Sequence, residues 1–136
     1  MNESSRKTFD SIAILLSIYT AASLLHFVHN ATYLRDYPNM PAGLTALGVY
    51  SVWFGIAAVG AVGYWVYRCV HRLAGLILIA VYAVLGFAGL DHYVVAPVSV
   101  HSTTMHLTIA IEVACAAMLF IAAVLRVARP ERRASL

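Results

Sequence analysis

"SIAILLSIYTAASLLHFVHNATYLRDYPNMP", residues 11–41, decides the fold. Positions 11–30 hold no Asp, Glu, Lys or Arg, and about 20 mostly apolar residues are what a helix needs to cross a bilayer. The run closes on His26, His29 and Asn30, then gives way to a polar stretch with two prolines. Three further runs of the same kind follow, at about 43–67, 73–96 and 103–127. What lies between them is short: "ATYLRDYPNMPA", the basic "RCVHR" and "PVSVHS". Short connections make neighbouring helices antiparallel. The expected fold is therefore all-α, a polytopic membrane protein with an antiparallel bundle of four transmembrane helices, and residues 1–136 form one domain.

Composition agrees. The 136 residues are 62% hydrophobic and only 11% charged, too little polar surface to cover a water-soluble domain. The first run carries a basic "RK" before it, and "YTAAS" loosely resembles a cleavage site, but apolar character continues through "LLHFV", as a retained span requires. Eight of the nine Lys and Arg fall on one side of the bundle: Arg6, Lys7, Arg68, Arg72, Arg126, Arg129, Arg132 and Arg133. Arg35 alone falls on the other. The positive-inside rule then puts both termini in the cytoplasm, with localisation in a bacterial inner membrane as a multi-pass protein. Anionic lipid and orientation account for the net charge of +3 and the tail "RVARPERR", so no nucleic-acid partner is expected.

Five of the six histidines converge on the outer face in this topology: His26, His29, His92, His101 and His106. His71 belongs to the cytoplasmic turn. At a rise of about 1.5 Å per residue, His26 and Asp91 should lie some 5 to 10 Å inside the outer boundary, and Glu112 roughly 12 to 15 Å along the last helix. Tyr19, Ser23, His26, Asn30 and Tyr33 follow the 4, 3, 4, 3 spacing of one seam of a left-handed bundle. His29 sits roughly 80° off that seam. His101, Met105, Thr108 and Glu112 mark the facing seam on the last helix, with His106 flanking it. The second run contributes aromatic and small residues, among them Gly55, Gly60 and Gly63, which suit tight packing or a homo-oligomer.

Histidines and aromatics near span ends are ordinary interfacial residues. The carboxylates argue for more. A charged Asp or Glu inside a membrane costs about 2.5 to 3.5 kcal/mol and persists when paired or facing a polar cavity. Apart from Arg35, no Lys or Arg stands at the level of Asp91 and Glu112. Histidines or a bound cation must serve, and His26, His29, Asp91, His92, His101, His106 and Glu112 form the nitrogen and oxygen donor set of a transition metal: zinc, iron, manganese or copper. Asn30, Tyr33 and Tyr93 would fix imidazole orientation. Two alternatives use the same residues: an internal His/carboxylate hydrogen-bond network without metal, and a b-type haem between His26 and His92 or His106. An open coordination position would permit a metal-dependent membrane enzyme. A filled one would make a binding module, alone or in a larger membrane complex.

Cys69 and Cys115 lie at different depths and are not expected to pair. "DYPNMP" reads as a rigid turn. No glycine-rich phosphate loop, nucleophile elbow or "HExxH" is present. The run "LHFVHNATYLRDYPNMP", with "GLDHY" and "HLTIAIEVA", resembles a group of small four-helix bacterial inner-membrane proteins across nearly the whole chain. That resemblance implies topology and no activity.

Overall fold

The computed structural model describes residues 10–128. Arg6, Lys7, Arg129, Arg132 and Arg133, which carry part of the orientation argument, lie outside the described residues. Among the described residues five α-helices run in order: α1 (Ser11–Thr32), α2 (Ala46–Cys69), α3 (Arg72–Leu85), α4 (His92–Val95) and α5 (Thr103–Ala128). A 3-10 stretch, Gly86–Asp91, joins α3 to α4, so that Arg72–Val95 is one span of 24 residues. With α1, α2 and α5 this makes four helical segments long and apolar enough to cross a membrane. The expected boundaries hold to within three residues at every end.

Each start has a local cause. Asp10 accepts a hydrogen bond from Ile12 N–H at 3.1 Å, and Thr45 accepts one from Gly48 N–H at 3.1 Å. The imidazole of His71 does the same for Ala74 N–H at 3.3 Å, which gives that histidine a capping role. The 33–45 connection turns through Asn39 at φ 56° and Gly43 at φ 89°. The Asn39 amide donates to Val95 O at 2.8 Å, tying the connection to α4.

The spans form a ring in which each packs on its neighbours in sequence and α5 closes on α1. Between α2 and α3, Gly60 lies against Tyr82, Gly63 against Ile79 and Gly75 against the backbone of Tyr67, so the two run antiparallel. Gly55 faces open space and takes no part. Ile12, Tyr19, Leu76, Ile79, Tyr82 and Leu119 fill the half of the interior near Asp10. Outward, Leu47, Phe54 and Trp65 are well over half exposed. Helices apolar on the outside as well as inside are covered by lipid, and a bilayer is the partner this surface fits. Both cysteines are free.

At one end, Asp10 gathers three elements. It accepts from Arg68 at 3.0 Å, from Tyr64 at 3.2 Å and from Arg126 at 3.5 Å. Arg126 also donates to Tyr67 at 3.0 Å and to Ser11, and its carbonyl accepts from Arg72 at 2.9 Å. Burial pushes the Asp10 carboxyl up, but the hydrogen bonds from Arg68, Ile12 and Tyr64 outweigh it and hold it below the ordinary 3.8. A depressed folded value means that the contribution is complete above 3.8 and lost as pH falls through the folded value. Thermal unfolding in detergent should therefore lose stability below pH 3.8 more steeply in the natural protein than in Asp10→Asn. Parallel curves would show the cluster to be inert.

Candidate functional site

The opposite end is polar inside. On α1 the seam delivers Ser23, His26 and Asn30 to the interior, each buried. On α5 it delivers Met105, Thr108 and Glu112, also buried. His26 Nδ1 donates to Thr108 Oγ1 at 3.2 Å, because the Thr108 hydroxyl hydrogen is already given to Met105 O at 3.1 Å. That sets the tautomer: Nε2 carries the lone pair and accepts from the Asn30 amide at 3.1 Å. The same amide reaches His92 Nε2 at 3.5 Å.

The 3-10 stretch brings His92 there. In a 3-10 helix side chains three apart eclipse one another, so Gly86, Gly89 and His92 share a stripe. Gly86 abuts Tyr19 and Ala116, Gly89 abuts Glu112, and the His92 ring meets His26 edge-on, centroids 5.5 Å apart. Continuous α-helix would have advanced each residue by about 100° instead of about 120°. That extra advance is what turns His92 inward, while Asp91, expected among the site residues, is exposed. "GFAGLDH", with its threefold spacing of small residue, small residue and histidine, was the signal.

Glu112 is 2% exposed. Its Oε2 lies 3.7 Å from His26 Nε2, too far for a hydrogen bond, and the two form an ion pair only when the imidazole is protonated. Ser23 sits alongside, yet Ser23 Oγ, Asn30 Oδ1 and Glu112 Oε2 find no partner at hydrogen-bonding geometry. A cavity of about 90 Å³ opens beside them, lined by His26, Asn30, His92, Glu112, Gly89 and Ile56 among others.

The remaining histidines form an outer tier. His101 is buried, its Nδ1–H donating to Pro97 O at 3.1 Å while Nε2 has no partner. Its ring centroid is 6.4 Å from His92 and 5.9 Å from His106. Tyr93 OH bonds His106 Nδ1 at 2.8 Å, and its ring lies 5.3 Å from His101. His29 is held apart from Glu112, on Tyr37 OH at 2.7 Å.

The seam on α1 stops short of Tyr33, a second correction. Tyr33 caps the C-terminus of the helix and is 48% exposed, its ring tilted against that of His29. The inward place is taken by Tyr37, 3% exposed and 4.9 Å from the His92 ring. Burial pushes the Tyr37 phenol up to about 12, so it stays protonated against His29. Tyr37 comes from the turn, where helical spacing says nothing about direction.

Compared with protein-family profiles, characterised proteins and solved structures, the chain matches none. The donor set must speak for itself. Among the described residues, no group of three or more His, Cys, Asp or Glu is placed to hold a metal ion, so the geometry gives the transition-metal expectation no support. His26 and His92 are in ring contact and share the Asn30 amide, so no macrocycle slot lies between that pair. The arrangement instead suits the movement or storage of protons, because it aligns lone pairs and N–H groups around one isolated carboxyl.

Proposed function

We propose that the chain is a multi-pass protein of the bacterial inner membrane, termini in the cytoplasm, whose outer half houses a proton-binding centre formed by Glu112 and His26. Arg68, Arg72 and Arg126 at the Asp10 end support this orientation. The carrying observation is Glu112 itself, a buried carboxyl with the His26 imidazole at 3.7 Å. Leaving a carboxylate charged in such a place is costly. One proton held between Glu112 and His26 neutralises the site, and a shift of less than 1 Å, or one bridging water, closes the gap. Asn30 and Thr108 orient the ring, and the small cavity gives water room to exchange.

Infrared titration of the purified protein tests this. A protonated-carboxyl band should fade as pH rises, be missing from Glu112→Gln and persist in Asp91→Asn. A carboxylate ionised at every accessible pH would overturn the reading. So would stoichiometric zinc, iron, manganese or copper that His26→Ala removes, which would return the site to the metal class.

A further inference from the structure

The proton centre, if that reading stands, needs a way in, and the outer histidines supply one. We propose that His106, His101 and His92 form a relay that carries protons from the surface of the histidine end to the His26–Glu112 pair, and that the route ends there. His106 and Tyr93 are half-buried, at the margin of the bundle, and hydrogen-bonded to each other at 2.8 Å. His101 comes next, 5.9 Å from His106 between ring centres, and His92 lies 6.4 Å beyond. His92 and His26 then share the Asn30 amide.

His101 is the decisive member. Pro97 O holds its Nδ1–H, so the free Nε2 must both take up and release the travelling proton. In balance, Nε2 accepts H⁺ from the His106 side, making a transient imidazolium, then gives it up toward His92. His92 passes it on to His26 or Glu112, and one positive charge has moved inward. Centroid gaps near 6 Å exceed direct hydrogen bonding, so each transfer uses a ring rotation or one water.

Beyond Glu112 the path closes. The groups that face the carboxyl are Tyr19 and His26 from α1, Tyr82 and His92 from the third span and Tyr37 from the 33–45 connection, while α2 presents Ile56. Cys115 follows it by one turn on α5. Tyr19 OH is given to the Tyr82 carbonyl at 3.3 Å, Tyr82 OH is paired with Thr20 at 2.9 Å, and the side chains of Ile12, Leu76, Ile79 and Leu119 that fill the interior toward Asp10 carry no exchangeable proton.

The test is the rate at which the Glu112 carboxyl band relaxes after a pH jump. His101→Ala should slow it at least tenfold, and added imidazole should restore it, which a merely structural role would not allow. His106→Gln, at a half-buried position, should slow it as well and keeps the test open should His101→Ala misfold. His71→Ala, at the other end, should leave the rate unchanged. Natural rates in His101→Ala and His106→Gln would overturn the relay while leaving the centre intact, as would a slowing that imidazole does not relieve. Slowing by His71→Ala would mean that the route does not end at Glu112. A band that never titrates would remove the centre and the relay together.

Discussion

His26→Ala should destabilise the protein by about 3 kcal/mol, with Glu112→Gln restoring roughly 1 kcal/mol of that loss. Removing the imidazole strands three groups: the Asn30 amide loses its 3.1 Å acceptor, Thr108 Oγ1 loses its donor, and Glu112 loses its imidazole neighbour at 3.7 Å. A buried polar group left without its partner costs about 1 to 3 kcal/mol. The vacated ring volume adds to the loss. Glutamine at position 112 removes the need for neutralisation, which is the part of the cost that can be recovered. A double-mutant cycle read by chemical unfolding in detergent measures the coupling. Additivity to within about 0.5 kcal/mol would show that the two side chains do not act as a unit.

Gly75→Ala should be the most damaging single-methyl change, costing about 3 kcal/mol or more. A Cβ at Gly75 would overlap the backbone N and Cα of Tyr67, and backbone cannot swing aside as a side chain can. The helices cannot part there either, because only Val70 and His71 separate α2 from α3. Gly55 provides the contrast. Nothing lies within 4 Å of its Cβ position, and alanine gains about 0.5 to 1 kcal/mol over glycine inside a helix, so Gly55→Ala should be neutral or stabilising. Thermal unfolding of the two variants side by side decides the matter. Equal stability would mean that the close approach of α2 and α3 is not maintained in the membrane.

The four spans were legible because length and apolarity are additive over some twenty residues and forgive local error. The inward set Tyr19, Ser23, His26 and Asn30 was legible because α1 keeps one period throughout, and Thr108 and Glu112 because α5 does too. The third span was not, since periodicity assumes a constant pitch and Gly86–Asp91 changes it. A shift of about 20° per residue over six residues turns His92 by about 120°, from the outward side of a regular helix to the interior. Tyr37 was hidden for the complementary reason, its direction being set by a turn. The Asp10 cluster needed tertiary structure to appear at all, because its partners come from the far ends of α2 and α5. Metal coordination was inferred from donor types, their shared depth and the lack of a Lys or Arg beside the carboxylates, and a hydrogen-bond network satisfies the same three conditions.

The change of pitch also alters reach. A 3-10 turn rises about 2.0 Å per residue against about 1.5 Å in an α-helix, so the six residues of Gly86–Asp91 lengthen their span by about 3 Å. With 24 residues it extends about 39 Å, level with the 26 residues of α5. Hydrophobic mismatch between adjacent spans is thereby reduced without adding residues. Rewinding the stretch would shorten the span by that same 3 Å or so and swing His92 by about 120° away from His26. Bilayer thickness and the meeting of those two rings are thus geometrically linked through one short segment of altered helix.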